Sequence, residues 1–253
     1  RSPRDTVLSE YFRCTLRGLK VLISLKSEKY ARQNFITCGI YVEKLHGSKN
    51  ASGLVPTLEF EKAALGRGFK NIAGVDEAGR GPLAGPVVVA AVILGEDWNA
   101  DHTLDDSKRL SAQKREHLFD LVCNEALAFK IVSISPQEID RLNILQATLF
   151  GMSRCLTEIV PAPDYAFVDG NHYPQTTIPG EAVIKGDSRS KSIAAASILA
   201  KVTRDRIMLE NAERYPEWGF ESHKGYPTKR HREAIEKFGL TPLRSEEHTS
   251  ELQ

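Results

Sequence analysis

Cysteine is sparse in this chain, with four residues among 253, and their spacing excludes the usual cysteine frameworks. No two of them form a C-x-x-C pair, which argues against a structural zinc site. Their wide separation also argues against the dense disulfides of small secreted domains. The four residues are Cys14, Cys38, Cys123 and Cys155. We therefore expect reduced thiols and a cytoplasmic protein.

An excess of charge of either sign is also missing, because 34 Lys and Arg face 33 Asp and Glu. The chain lacks the global basic signature of many nucleic-acid-binding domains, although locally clustered lysines can still bind a phosphate backbone. No apolar run approaches the roughly 18–20 residues that span a bilayer, so we expect no membrane partner. The 41% hydrophobic and 26% charged content is typical of a globular protein with a substantial core.

The two ends of the chain differ in composition from its middle. Residues 1–52 carry ten Lys and Arg against four Asp and Glu, and they show no sustained strand or helix period. We interpret them as a basic extension whose origin, native or not, is open. Residues 244–253, "RSEEHTSELQ", resemble the translation of a sequencing adapter, and we interpret them as an artefact tail. Residues 53–243 remain as one folded domain.

Within residues 53–243, strand patterns alternate with helix patterns. Five runs predict strands: "FKNIAGVDE", "PVVVAAVIL", "ALAFKIVSIS", "DYAFVDG" and "TIPGEAVIKGD". The first strands follow one another with short connections, whereas helices separate the later ones. This order predicts an α/β fold with a mixed sheet, antiparallel first and parallel later.

Helix signals fill the segments between the strands. Ser135 as N-cap, Pro136 at the first helical position and Glu138 in a capping box predict a helix start. The helix continues through "LQATLFGMSRCLTEIV". "SKSIAAASILAKVTRDRIMLENAER" predicts a long helix with an Ala-rich start that suits close packing, and Gly239 ends a last helix. Three charged residues of the long helix have the spacing of ion pairs: Lys201, Arg204 and Asp205.

Carboxylates follow predicted strands at three places, each with a glycine nearby. The acids are Asp76 with Glu77, Asp169 and Asp187. A surface turn would explain the glycines, but it does not explain charge joined directly to a buried-looking apolar run. Converging carboxylates repel one another unless a hard cation such as Mg²⁺ or Mn²⁺ lies among them. Neighbouring strand residues face opposite sides, so Asp76 and Glu77 can share a site only if the backbone turns there.

The segment "GRGPLA" formally matches the dinucleotide-binding pattern G-x-G-x-x-A. That pattern requires a helix N-terminus directly after the glycines, whereas a proline and an apolar strand follow in this chain. Asp76 and Glu77 would also repel the phosphates of a dinucleotide. The sequence therefore disfavours a dinucleotide-binding oxidoreductase.

Five motifs resemble, in order, the signatures of bacterial ribonuclease HII. They are "GVDEAGRGPLAGPVVVAAVIL", "DDSKRLS", "FVDGN", "KGDSRSKSIAAASILAKVTRD" and "HKGYPTKRHREAIEKFG". The resemblance runs from about Pro56 to Leu243 and implies an RNase H-like fold, with a five-stranded mixed sheet flanked by helices and a small helical C-terminal part. The family's basic stretch after "G-x-x-P" has no counterpart here, which implies that the native C-terminal end of the catalytic domain is missing.

The resemblance implies a metal-dependent endoribonuclease. Such an enzyme cuts the RNA strand of RNA–DNA hybrids and the 5′ side of ribonucleotides embedded in duplex DNA, leaving 5′-phosphate and 3′-hydroxyl ends. The implied cofactors are two Mg²⁺ or Mn²⁺ ions, held by Asp76, Glu77, Asp169 and Asp187. The family also implies a monomer. The alternative is a catalytically impaired fragment that only binds RNA–DNA junctions.

Further residues are implied to contact the substrate. The backbone of Gly79, Arg80 and Gly81 matches the family loop that recognises the 2′-hydroxyl of the scissile nucleotide. Glycines let the main chain approach a sugar closely, and the 2′-hydroxyl both donates and accepts hydrogen bonds. Tyr226 matches the tyrosine that packs against the sugar beside the junction, and Lys108 is a candidate for a phosphate contact.

Overall fold

A computed structural model describes the backbone of residues 11–16 and 19–24, and residues 55–95, 98–99, 104, 107 and 110–243. The chain divides into two compact units, Arg1–Lys49 and Asn50–Gln253. In the first unit, β1 (Tyr11–Leu16) and β2 (Leu19–Ser24) pair antiparallel. The sequence predicted no strands there, because residues 1–52 sustain no strand period and polar and apolar residues alternate only over a short stretch.

The second unit is built on a five-stranded sheet. Its strands are β3 (Ile72–Ala78), β4 (Val87–Ile93), β5 (Ala128–Ile134), β6 (Tyr165–Asp169) and β7 (Gly180–Val183). The spatial order is β5-β4-β3-β6-β7, with antiparallel pairs on the β5 side of β3 and parallel pairs on the β7 side. The predicted mixed sheet is therefore confirmed.

Helices cover both faces of the sheet, which explains why β4 is an unbroken apolar run. Its side chains alternate between two separate cores, one under α4 and one under α2 and α5, and every residue of β4 is buried. The helices are α1 (Glu59–Gly66), α2 (Ala112–Glu125), α3 (Pro136–Leu142), α4 (Ile144–Glu158), α5 (Lys191–Arg214), α6 (Phe220–His223) and α7 (Lys229–Phe238).

One predicted helix is in fact two. The capping box of Ser135 and Glu138 is present as predicted, but α3 ends at Leu142 because Asn143 adopts a positive φ of 66°. The Asn143 side chain then accepts a hydrogen bond from the amide of Gln146 at 3.0 Å and caps α4. Asparagine tolerates this conformation better than most residues, so the break lies at a residue that suits it.

The N-terminal end of α5 lies unusually close to β3. A Cβ at Gly74 would be 2.1 Å from the carbonyl carbon of Ser192, so only glycine fits this contact. The buried carboxylate of Glu61 holds the same end of α5. Its Oε1 accepts hydrogen bonds from the Ser190 hydroxyl at 2.6 Å and from the amide and hydroxyl of Ser192. These contacts fix the segment that leads into α5.

The C-terminal residues form the small helical part that the family resemblance implied. The rings of His223 and His231 stack at 4.6 Å, with Phe220 packed edge-on against both. The His223 Nδ1 accepts from the amide of Gly225, and Nε2 lies 2.9 Å from the carbonyl of Trp218. This arrangement requires an unprotonated Nδ1.

Among the described residues, no helix combines the length and the apolar character that crossing a membrane requires.

Burial lowers the pKa of His223 below its ordinary 6.5, so folding favours the neutral ring. The unfolded chain binds this proton more readily, and stability must therefore fall as the proton concentration rises. We expect the full contribution above pH 6.5 and a progressive loss as the pH drops below it, through the lowered folded pKa. Urea unfolding of the wild type across this range should show the fall, and His223→Gln should flatten it. His117→Gln, at an exposed histidine of α2, should keep it.

Candidate functional site

Three aspartates from separate segments meet at one edge of the sheet. Asp76 lies on β3 and Asp169 ends β6, and these parallel strands pair with Val75 opposite Val168. Asp187 lies on a single 3₁₀ turn, Gly186–Ser188, between β7 and α5. One carboxylate oxygen of each aspartate lies within 4.8 Å of the others. Sequence reasoning placed Asp187 at the end of a strand, whereas the structure places it in the turn that follows β7.

Backbone amides hold the turn that carries Asp187. The Asp169 Oδ1 accepts hydrogen bonds from the amides of Gly186 at 2.6 Å and Asp187 at 3.4 Å. A Cβ at Gly186 would lie 2.5 Å from a methyl carbon of Ile193, so glycine permits this close packing. One aspartate of the cluster thus positions another.

The electrostatics of the cluster combine burial with the mutual repulsion of its carboxylates. Asp76 is only 5% exposed, and its pKa is raised by burial first, then by the charge of Glu77, and also by Asp169 and Asp187. Carboxylate oxygens are the ligands that Mg²⁺ and Mn²⁺ prefer. The donor set therefore fits a hard divalent cation.

Glu77 is not one of the three close carboxylates. The strand β3 stays paired with β4 through Ala78, so the backbone turns only at Gly79, after both acids, and not between them. Glu77 forms an ion pair with Arg80 at 3.2 Å. It nevertheless lines the same cleft as Asp76.

A cleft of about 190 Å³ adjoins the acids and contains most of the predicted substrate-binding residues. Its lining residues are Asp76, Glu77, Ala78, Gly79, Arg80, Gly81, Ser107, Ser197, Lys201 and Tyr226. Lys108 lies outside the described residues. Sequence reasoning missed Ser197 and Lys201 as parts of the cleft, although their i,i+4 spacing places both on one side of α5. Lys201 also forms the predicted pair with Asp205, at 2.7 Å.

The two glycines of the G-R-G segment differ in what the fold requires of them. Gly79 has a φ of 113°, and a Cβ there would be 2.4 Å from the carbonyl oxygen of Pro86. Gly81 has no positive φ, is exposed, and would place a Cβ in open space. No helix follows this segment, because the chain runs through Pro82–Pro86 into β4. The segment therefore does not form a dinucleotide-binding turn.

Comparison with known proteins agrees with this geometry. The family model for ribonuclease HII matches residues 73–250. The chain belongs to the ribonuclease HII family. The ribonuclease HII of Clostridioides difficile (strain 630) is 50% identical over 184 residues, which cover 73% of this chain and 72% of the relative. That of Acetivibrio thermocellus is 44% identical over 227 residues, which cover 90% and 88%.

A solved structure supports the same family. The crystal structure of ribonuclease H2 from Pyrococcus horikoshii OT3 superposes with a TM-score of 0.60 at 28% identity, covering 69% of this chain and 92% of that one. Ribonuclease HII proteins are ribonucleases H. The chain is therefore a hydrolase, an endoribonuclease that acts on RNA–DNA hybrids.

One residue of the chain has an environment that sequence reasoning did not predict. Arg204 was expected to form ion pairs beside Asp205, but its side chain is fully buried. It donates to the carbonyl oxygens of Ala84 at 2.9 Å and of Pro86 and Lys224 at 3.0 Å. The cause is helical spacing: Ala200 and Met208, four residues to either side, are both buried.

The contrast between the two glycines predicts different effects on the stability of the protein. Gly79→Ala should lower the free energy of unfolding by about 2 kcal/mol or more, because it combines a positive φ with a backbone clash. Gly81→Ala should change it by less than about 0.5 kcal/mol. Urea unfolding monitored by circular dichroism measures both. Equal destabilisation by the two variants would contradict this distinction.

Proposed function

We propose that the chain cuts the RNA strand of RNA–DNA hybrids and the 5′ side of single ribonucleotides embedded in duplex DNA. The expected products carry 5′-phosphate and 3′-hydroxyl ends, and the expected cofactors are two Mg²⁺ or Mn²⁺ ions. The observation that carries this proposal is the meeting of three aspartates within 4.8 Å of one another beside a cleft bordered by the G-R-G segment. A cytoplasmic location and a monomeric state stay predictions of the sequence.

In this proposal Asp76, Asp169 and Asp187 hold the cations, and Glu77 adds a fourth carboxylate at the cleft. When bound, such ions supply Lewis-acid stabilisation of the attacking and leaving oxygens of an in-line displacement. The protein contributes a rigid arrangement of carboxylates. The amides of Gly186 and Asp187 already hold Asp169, so little rearrangement is needed when a cation arrives.

The cleft supports recognition of a ribose. Gly81 is a glycine that neither space nor backbone conformation requires, which suits a position where the main chain approaches a ligand. The 2′-hydroxyl is the group that distinguishes RNA from DNA at one nucleotide, and backbone amides and carbonyls can pair with it. The Tyr226 ring, 40% exposed and facing the same cleft, can pack against the neighbouring sugar. In this proposal Arg80 can reach a phosphate, and Lys108 stays a predicted phosphate contact.

Asp76→Asn tests the metal assignment. The Asp76 Oδ1 accepts the Glu77 amide at 2.7 Å, and asparagine keeps that acceptor, so the fold should persist. We expect turnover to fall roughly 10²–10³-fold, the loss found when one preorganised electrostatic group is removed. Binding of the hybrid should change little, and Mn²⁺ binding in calorimetry should weaken. In metal-free buffer the variant should unfold at a higher temperature than the wild type, because a buried like charge is gone.

The assay uses a DNA duplex with one embedded ribonucleotide, incubated with Mg²⁺ and then with excess EDTA. Nicking that depends on the metal supports the enzyme, whereas a band shift without product supports a protein that only binds junctions. Asp140→Asn, at an exposed acid of α3, is the matched control and should cut at the wild-type rate. Wild-type turnover by Asp76→Asn would contradict the assignment of Asp76 as a metal ligand.

Gly81→Ala tests recognition by the main chain. A methyl group at this position meets no protein atom within 4 Å, yet it would stand between the backbone and an approaching sugar. We expect kcat/KM on the single-ribonucleotide duplex to fall at least about tenfold, or about 1.4 kcal/mol, with unchanged stability and unchanged Mn²⁺ affinity. Full activity of this variant would show that the close approach of a sugar does not occur at Gly81.

A further inference from the structure

Arg204 lies between two elements to which the proposed function assigns substrate contacts. Its Nε and Nη2 donate to the carbonyls of Pro86 and Ala84, in the loop that follows the G-R-G segment. Its Nη1 donates to the carbonyl of Lys224, two residues before Tyr226. The guanidinium carbon also lies 5.8 Å from the centre of the Tyr226 ring. A single side chain therefore joins both walls of the cleft.

The chemistry of these contacts suits arginine and no other residue. A guanidinium presents five N–H donors in a rigid planar fork, whereas a lysine ammonium is a point charge on a flexible stem. Three carbonyls that lie in different directions can therefore be reached from one arginine. Within the described part of the chain, no carboxylate forms an ion pair with Arg204, and the adjacent Asp205 pairs with Lys201 and Arg115.

Stability alone does not account for this residue. A buried charge is costly to desolvate, and apolar side chains of similar volume often replace buried ionic groups without loss of stability. Burial lowers the pKa of Arg204, and the charges of Tyr226 and Asp205 oppose this shift without reversing it. A buried guanidinium at this position therefore points to a role in fixing geometry.

The neighbouring backbone closes tightly around Arg204. Gly79 and Gly85 both have positive φ, and a Cβ on either would lie within 3.0 Å of its side chain. A Cβ on Gly225 would lie 2.3 Å from the carbonyl oxygen of Ala84. The amide of Leu83 donates to Gly225 at 2.8 Å and joins the two segments directly. The loop and the turn before Tyr226 thus form one unit around the guanidinium.

We propose that Arg204 is a positioning residue for ribose recognition: it holds the Gly79–Pro86 loop and the Lys224–Tyr226 turn at a fixed separation. This inference rests on the proposed function, because it requires that both elements contact the nucleotide. Arg204 itself touches no substrate. It acts through the Arg80–Gly81 backbone on one wall and the Tyr226 ring on the other, which are in place before the substrate arrives.

Arg204→Lys is the test, with Arg206→Lys as the matched control on the same helix. Arg206 is exposed and pairs with Glu116, so its replacement should change nothing. At a temperature where Arg204→Lys is fully folded, we expect kcat/KM on the single-ribonucleotide duplex to fall about 100-fold, as when a distant change misplaces reacting groups by about 1 Å. Mn²⁺ affinity should stay within about twofold of the wild type, because the acids are held by other contacts.

Two further readouts separate positioning from a merely structural role. Hydrogen exchange should speed up at the Leu83 and Gly85 amides, which donate to Gly225 and Leu243, while amides of β3 stay protected. Tyr226→Ala should cost much less activity in the Arg204→Lys background than alone, since the ring is already misplaced. Additive losses from the two substitutions would overturn the proposal.

The outcomes also distinguish the inference from the function on which it rests. No metal-dependent nicking by the wild type would overturn the proposed function. Nicking by the wild type together with wild-type kcat/KM in Arg204→Lys would overturn the positioning role alone. If Arg204→Lys does not fold, hydrogen exchange of the wild type decides: slow exchange of the Leu83 and Gly85 amides supports the proposal, and rapid exchange overturns it.

Discussion

Repulsion among three clustered carboxylates, two of them buried and one half-buried, is the constraint on which the rest of this site depends. Asp76, Asp169 and Asp187 belong to separate segments, and moving any one of them would relieve the repulsion. Parallel pairing of β3 with β6 fixes the first two, and two amides on Asp169 fix the turn that carries the third. Behind that turn, the Glu61 carboxylate binds two serines at the start of α5. The same contacts that prevent relaxation prepare the site for a cation.

Glycine serves two different purposes around this cluster. At Gly74 and Gly79, neighbouring backbone atoms leave no room for a side chain, so the fold itself demands glycine. At Gly81 the fold makes no such demand, because the space is open and the backbone conformation is ordinary. A missing side chain that the protein does not need is better explained by a ligand than by packing. An exposed glycine that packing does not require can thus indicate where a ligand approaches the backbone.

Much of the fold and of the acid cluster could be predicted from the sequence, because both depend on local patterns. Apolar runs gave the strands, and Asp76 and Asp169 follow such runs directly. The rest depends on contacts between distant segments. The turn at Asp187 forms because amides near it meet Asp169, and no local signal marks this. Arg204 was expected to form an ion pair on its helix because charged residues are rarely buried, and its carbonyl partners lie about 20 and 120 positions away.

Asp76 and Arg204 are buried charges of opposite sign, yet neither neutralises the other. The Asp76 Oδ1 accepts a backbone amide, and Arg204 donates to three backbone carbonyls. Because Asp76 has no basic partner among the described residues, its charge remains available for a cation. Because no carboxylate there forms an ion pair with Arg204, its donors remain directed at the two loops. In the proposed enzyme, the capacity to hold cations therefore depends on Asp76, and the recognition of a ribose depends on Arg204. A substitution at Asp76 should leave ribose recognition intact, and a substitution at Arg204 should leave cation binding intact.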